Sequence, residues 1–518
     1  MVDILLIQPC IRDFYFTKKR SIPYGLMCLS SALQQSKFSV EILDCLATNK
    51  SRVVPMPQEI QSVYNDFYTN EDTLPWALFH TYKEYGLHER EIRNRIQNSG
   101  AKIVGIASLF TPYCQESYRM ASLVREILPD AVIIFGGHHA TALPQHVLEN
   151  SCADFCLRGE AEESFPLLVQ RIFKNQSVDD VPGIAYRQAD HSYYIQPATY
   201  ISDYSYPILP DFENMDHVFY QRYKKNCAVI TTSRGCPLSC SYCCVNRHTV
   251  PFRQRTVESV IKELNFVVQN YHAHFIDFED ENISFHKNWF HQLLHQIMEK
   301  YGDSLELRAM NGLYPPTLDE QTILLMKKAG FRELNLALVT TSALQLQYFQ
   351  RANVQFYLER AIQYAHSIGM STVSYIIVGA PHQNPYESLE DLIYLAKLPT
   401  IIGTSVYYPA PNSKDYEYCK DQNLLPKDIS SYRSTAIPIN HTTTKLQSVT
   451  LLRLSRITNY IKSLQPDNIV RIMDWKEKFL IYFFQNKRIP GMNKQGILYD
   501  HAVDGNLVEK YVDALISL

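Results

Sequence analysis

Short apolar runs alternate with longer amphipathic stretches in two successive series along this chain, and no other feature limits its folding so strongly. In the first series a fully apolar strand pattern covers 3–7. It is followed by a helix at 25–35, strands at 39–43 and 103–108, a helix at 116–128 and a strand in "AVIIFGG". The stretch "ADFCLRGEAEES" reads as the opening of a further helix. Strands alternating with helices predict a parallel, doubly wound sheet. Ligands of such sheets sit at the carboxyl ends of the strands, so the loops at Gln8, Ser108, Gly136 and Gly159 are expected to line one crevice.

The second series runs through strand 228–232, helix 257–269, strand 274–278, helix 287–300 and strand 306–309. A helix in "PPTLDEQTILLMKKAGF" follows, with a capping box of Thr317 and Glu320 and a stop at Gly330. Strands at 333–338, 372–378 and 404–408 complete six strand-helix repeats, short of an eight-strand barrel. The expected fold class is therefore α/β, a doubly wound parallel sheet followed by a partial (β/α)6 barrel and a mainly helical C-terminal region. The expected domains are 1–186, with an aromatic insertion at about 46–100, a linker at 187–226, the half-barrel at 227–415 and the C-terminal region at 416–518. In the insertion, Trp76, Phe79 and Tyr82 sit at helical spacing and can form one apolar face, either as packing or as a lid over a site. The stretch "LQSVTLLRLSRITNYIKSL" is amphipathic and reads as a packing helix.

At 518 residues the chain suits two or three domains, given roughly 100–200 residues per domain. Lys and Arg number 50 against 53 Asp and Glu, a formal net charge of -3, which offers no general attraction to nucleic acid. The opening "MVDILLIQPC" lacks a basic leader, and no segment approaches the roughly 18 uninterrupted apolar residues of a membrane span. The expectation is a cytoplasmic protein with no membrane partner. Twelve cysteines scattered through a large chain then point to metal or redox chemistry before disulfides, with Cys10, Cys28, Cys45 and Cys419 as small buried residues.

Three of those cysteines stand out. "TSRGCPLSCSYCCV" at 231–244 places Cys236, Cys240 and Cys243 at CxxxCxxC spacing directly after a strand. Zinc sites usually show four ligands in paired spacings, which this stretch lacks, whereas iron-sulfur clusters are held by thiolates, and three leave one iron open. In its setting, "CPLSCSYCC" resembles the radical S-adenosylmethionine superfamily. That resemblance implies a 4Fe-4S cluster on Cys236, Cys240 and Cys243, with S-adenosylmethionine chelated by the open iron and cleaved to a 5'-deoxyadenosyl radical. It places Tyr242 against the adenine and treats Cys244 as structural. It also matches Asp280 and Glu281 of "FIDFEDENISF" to groups that hold the cofactor's amine, with a solvated acidic loop as the other reading. In "LNLALVTTSALQLQYFQR", Val339 stands where a Glu is common, so the ribose contact passes to Thr340 or stays unfilled. "YIIVGAPHQNP" carries the matching Gly379 and Pro381 beside the adenine.

The order of a doubly wound domain before the half-barrel resembles the cobalamin-binding members of that superfamily, through "PYGLMCLSSAL", "VGIASLFTPY", "IIFGGHHATALP" and "LRGEAEESFP". The resemblance implies cobalamin contacts at Ser108, Thr111, Gly136 and Gly137, with His138, Gly159 and Glu160 beside them. No DxHxxG motif follows the second strand, so no histidine below cobalt is expected, and His138 or His139 would bond corrin amides or backbone. The implied function is methylation of an unactivated carbon or phosphorus of a small molecule or natural-product intermediate. The alternatives are a cyclase or rearrangement enzyme without methyl transfer, or a non-enzymatic cobalamin- or redox-sensing protein. The implied partners are a small-molecule substrate and an electron donor such as flavodoxin or ferredoxin. RNA methylthiolation is disfavoured because no basic RNA-binding module is present.

Overall fold

The computed structural model describes residues 2–17, 21–67, 71–79, 81–205, 207–246, 248–434, 439–464 and 485–516. By packing, the chain forms two units, one of 1–55, 82–230 and 253–275, the other of 56–81, 231–252 and 276–518.

The first unit is built on a seven-stranded sheet. Its strands are β1 (Ile4–Gln8), β2 (Val40–Asp44), β3 (Ile103–Ala107), β4 (Val132–Gly136), β5 (Phe155–Leu157), β6 (Ile184–Arg187) and β7 (Tyr193–Ile195), in the order β7-β6-β5-β4-β3-β1-β2. The first five run parallel, with Ile4 opposite both Val40 and Ile103. Apolar runs such as ILLIQ and VIIFG are buried because helices cover the sheet, among them α1 (Tyr24–Gln35), α2 (Cys114–Ile127) and α3 (Ser164–Phe173). The strand order reverses at β1, so the crevice of this sheet opens outside the carboxyl ends of β1 and β3, at Gln8 and Ser108.

Two sequence expectations change here. "ADFCLRGEAEES" contains strand β5, and its helix begins only at Ser164, because Gly159 takes φ +89 and turns the chain first. The region 187–226 starts as sheet: β5, β6 and β7 pair antiparallel and close one edge. Farther on, the Asp211 carboxylate accepts from Ser30 at 2.6 Å and Gln34 at 2.9 Å and so fastens this segment to α1. The unit also holds β8 (Lys225–Ile230), helix α4 (Val257–Tyr271) and the start of β9 (Ala273–Phe278), which neighbours β8.

In the second unit the end of β9 neighbours β10 (Glu306–Ala309), and β11 (Glu333–Val339), β12 (Ser371–Val378) and β13 (Ile401–Val406) form a parallel sheet. Single parallel bridges, Leu307 to Phe331 and Leu313 to Leu336, carry the curve from β10 towards β11. In chain order β8 to β13 fill the six strand positions expected of the half-barrel. The helix α5 (Glu320–Ala329) ends as expected at Gly330, φ +114, but its cap is Asp319, which accepts from the Thr322 N–H at 2.9 Å. Thr317 instead closes a 3-10 turn over Pro315–Thr317, since two prolines fix that conformation ahead of the helix.

In the C-terminal region, helix α6 (Lys445–Ser463) carries a capping box of Thr444 and Gln447 and lies against β13. There the Asn459 amide donates to the Ile402 carbonyl and accepts from its N–H, both at 2.8 Å, and so completes the strand's exposed backbone. Residues 56–81 of the insertion pack on this C-terminal region. The Trp76 indole donates to Pro490 O at 3.0 Å, its ring meets Tyr460 edge-on, and Asp72 pairs with His501 at 2.7 Å. Trp76, Phe79 and Tyr82 therefore share no helix; the backbone there is irregular, and Tyr82 belongs to the first unit with Phe14 against its ring. Among the described residues no helix is long and apolar enough to cross a membrane.

Candidate functional site

The cysteine segment is pinned from several sides. Gly235 takes φ +77, and a Cβ there would stand 2.4 Å from Pro251 O, so only glycine closes this turn. Before it, the Asp280 carboxylate accepts from Thr232 N–H, Thr232 Oγ1 and Ser233 Oγ, the last at 2.6 Å. After it, Ser241 N–H donates to Phe349 O at 3.0 Å, and Ser241 O accepts from Asp415 N–H at 3.1 Å. Asn246 Nδ2 holds the Cys243 carbonyl and Thr249 Oγ1 holds that of Cys244. Cys236, Cys240 and Cys243 thereby lie near one another, Cys240 buried and the other two half-buried, and all twelve cysteines are free thiols.

Burial pushes the Cys236 thiol up to about 11, with Cys240 and Glu281 adding to it; burial and the neighbouring thiols push Cys243 up as well. Bringing three thiolates together, two of them on thiols that burial pushes up, requires cations between them, which is the condition an iron-sulfur cluster meets. Other features fit it too. The Val245 N–H donates to Cys243 Sγ at 3.4 Å, and Arg351 places an N–H 3.5 Å from Cys240 Sγ. Among the described residues no three His, Cys, Asp or Glu stand close enough to hold a single metal ion. A four-iron cube gives each thiolate its own iron, so its ligands need not converge on one point.

The structure brings several sequence-predicted residues to this neighbourhood. The Tyr242 ring meets Phe349 edge-on at 4.9 Å and packs with Val339 and Ala380, joining the cysteine segment to the carboxyl ends of β11 and β12. Val339 takes φ +76 at a bulge in β11, a rare conformation for a β-branched residue. Thr340 is buried, and its Oγ1 accepts from Ser342 N–H at 3.1 Å. Gly379 has φ +74 and lies under α6, where a Cβ would stand 2.5 Å from Ser448 Oγ, while its carbonyl bonds His441 Nε2. Pro381 O accepts from Gln345 at 3.2 Å. Burial raises Glu281 to about 8, with Asp280 adding to it and Arg234 opposing it. Asp280 itself is committed to Thr232 and Ser233, so its carboxylate shapes the segment and is not turned outward.

In the first unit, Ser108 Oγ is buried without a hydrogen-bond partner at the switch point of the sheet. Beside it Gly136 faces open space, and a Cβ on Gly137 would lie 2.6 Å from Ser108 O. An orphaned hydroxyl next to a glycine pair is the donor set expected of a large polar ligand's cradle. His138 is exposed on this rim. His139 points inward: Tyr118 OH lies 2.7 Å from its Nε2 and Thr111 Oγ1 3.3 Å from its Nδ1, and burial lowers it to about 3. Gly159 and Glu160 make contacts of their own within this unit. A Cβ on Gly159 would meet Thr199 O at 2.0 Å, and the Glu160 carboxylate is held by Arg253 through two 2.7 Å contacts and by the Ile201 N–H. Sequence reasoning missed Arg351 and Ser448: both lie in stretches read for other features, and nothing local marks their approach to Cys240 and Gly379.

Comparison with known proteins agrees with this layout. A B12 binding domain matches residues 81–169, and the Radical SAM superfamily matches 230–396. The cytidylyl-2-hydroxyethylphosphonate methyltransferase of Streptomyces wedmorensis is 24% identical over 83% of this chain and 84% of its own length. An anaerobic magnesium-protoporphyrin IX monomethyl ester cyclase of Rubrivivax gelatinosus is 27% identical over 65% of this chain and 61% of its own. Among solved structures, the radical S-adenosylmethionine methyltransferase TsrM of Kitasatospora setae, with cobalamin and a [4Fe-4S] cluster bound, superposes with a TM-score of 0.60. The match has 15% identity and covers 84% of this chain and 82% of TsrM. The cobalamin-dependent enzyme OxsB with aqua-cobalamin gives 0.61 at 12% identity, over 94% of this chain and 68% of OxsB. At these identities the superpositions speak for the fold.

Proposed function

We propose that this chain, a radical S-adenosylmethionine enzyme with a B12-binding domain, is a cobalamin-dependent methyltransferase acting on a carbon or phosphorus of a small molecule. The observation that carries the reading is the pinned set of three neighbouring thiols, one buried and two half-buried, beside a guanidinium, in a half-barrel preceded by a sheet with an orphaned Ser108 hydroxyl at its switch point. Cys236, Cys240 and Cys243 would hold the 4Fe-4S cluster, and Tyr242, Glu281, Thr340, Gly379 and Pro381 would surround S-adenosylmethionine. Ser108, Thr111, Gly136, Gly137 and His138 would face cobalamin. The chemistry these cofactors supply when bound is one-electron cleavage of S-adenosylmethionine and carriage of its methyl group on cobalt.

The chain's own part is placement and shielding. The Tyr242, Phe349 and Val339 cluster forms an apolar wall that keeps water from a reactive radical. Burial raises the Glu281 carboxyl to about 8, so an ammonium group bound beside it would favour the ionised form, the proton leaving to solvent and the two opposite charges then pairing. The formal net charge of -3 favours a small-molecule substrate over nucleic acid. We place the enzyme in the cytosol, with a low-potential donor such as flavodoxin or ferredoxin, in keeping with its twelve free thiols.

Anaerobic reconstitution with iron, sulfide and cobalamin, followed by mass spectrometry of small-molecule extracts, tests the reading. A gain of one methyl group supports it; a product that has lost hydrogens or gained oxygen favours the cyclase chemistry instead.

A further inference from the structure

Arg351 is a partly buried guanidinium that, among the described residues, makes no ion pair with any carboxylate. One of its terminal nitrogens lies 3.5 Å from Cys240 Sγ and 3.4 Å from Tyr242 OH. The other donates to Ala337 O at 3.0 Å, which fixes the fork at the bulge of β11. Its Cζ lies 5.7 Å from the Tyr314 ring centroid, and its Nε is buried without a partner. A cation taken out of water without a counter-charge is costly, and the anionic group this geometry offers it is the Cys240 thiolate of an assembled cluster.

We infer that Arg351 sets the reduction potential of the cluster, its N–H to Cys240 sulfur contact stabilising the extra negative charge that arrives when the cluster takes up one electron. The inference rests on the cluster assignment proposed above. The electron comes from a low-potential one-electron donor and stays on the cluster; no bond breaks and no proton moves in this step. Hydrogen bonds to the sulfurs and nearby positive charge are among the determinants of iron-sulfur potentials, and both act here in the direction that eases reduction. Arg351 is thus a positioning and tuning residue that works through Cys240.

The test is a redox titration of the reconstituted full-length protein without S-adenosylmethionine, following the electron paramagnetic resonance of the reduced cluster. Wild type is compared with Arg351→Gln and Arg351→Lys. Removal of the charge in Arg351→Gln is expected to cut the ratio of reduced to oxidised cluster at a fixed potential by at least about tenfold, which is about 59 mV for a one-electron couple. Arg351→Lys, which keeps the charge but not the fork, is expected to fall between, and it carries the comparison if the Gln variant does not load. Potentials equal to wild type in variants with full iron and sulfide content overturn the inference. So does a variant whose potential is unchanged while its affinity for S-adenosylmethionine drops, because Arg351 then serves the ligand. Loss of the cluster from both variants overturns it as well, since Arg351 is then needed for assembly. Wild type that assembles no four-iron cluster fails the underlying cluster assignment, which is a distinct result.

Discussion

The Asp280 carboxylate accepts from both the N–H and the hydroxyl of Thr232, at 3.0 and 2.7 Å, and so ties the end of β9 to the residue that opens the cysteine segment. Replacing Asp280 with Ala leaves the Thr232 N–H and two hydroxyls buried without an acceptor. Each such group costs about 1–3 kcal/mol. The expected outcome is a folded protein that holds well under half of the wild-type iron after reconstitution, with the Asp280→Asn variant nearer to wild type. Iron and sulfide analysis checks this, and full iron loading in Asp280→Ala contradicts it.

His139 is predicted to be a core residue and not a cobalt ligand, because both ring nitrogens already have partners in Tyr118 and Thr111. Its replacement by Ala is expected to lower stability by about 2–4 kcal/mol through lost packing and hydrogen bonds. The cobalt(II) resonance of bound cobalamin is expected to be unchanged and to show no nitrogen splitting in either protein. A splitting present in wild type and absent in the His139 variant contradicts the structure's placement of this ring.

The legible part of the fold was the part set by local periodicity. Strands such as Ile4–Gln8 and Ser371–Val378 stand within a residue of their expected ends, because runs of Ile, Leu and Val between glycine or polar breaks read the same in any context. The three cysteines were legible for the same reason, being close in sequence. What was not legible depends on contacts between distant residues. Trp76 sits at helical spacing to Phe79, yet the bond from its indole to Pro490 and its contact with Tyr460 fix an irregular backbone there. The commitment of Glu160 to Arg253, 93 positions away, likewise leaves no trace near either residue. Asp280 was expected as a ligand group because acidic residues after a strand look alike; only its bonds to Thr232 and Ser233 reveal a carboxylate already in use.

Asp391 gives the fold a pH dependence. One of its oxygens accepts from the N–H and hydroxyl of Thr341, the other is buried without a partner, and burial pushes the carboxyl up to about 6. The folded state therefore keeps a proton that the unfolded chain releases above its ordinary value of 3.8. The stabilisation is complete below that value and is lost as pH rises to about 6, at up to about 1.4 kcal/mol per pH unit. The Asp391→Asn variant, which cannot ionise, is expected to show a flatter stability profile from pH 4 to about 6 and to equal or exceed wild type above it. Denaturant titrations across that range check this. Parallel profiles for the two proteins contradict it.

The central claim, that one chain joins a cluster on Cys236, Cys240 and Cys243 to cobalamin for methyl transfer, is tested most directly by isotope tracing. The reconstituted enzyme is incubated anaerobically with a strong reductant, a small-molecule extract and S-adenosylmethionine bearing a deuterated methyl group. The account predicts a small-molecule product carrying the labelled methyl, formed together with 5'-deoxyadenosine and S-adenosylhomocysteine. It also predicts that this product disappears when cobalamin is omitted or the three cysteines are changed to Ala. Deoxyadenosine accompanied by an unlabelled product, or labelled product formed equally well without cobalamin or without the three cysteines, would contradict it.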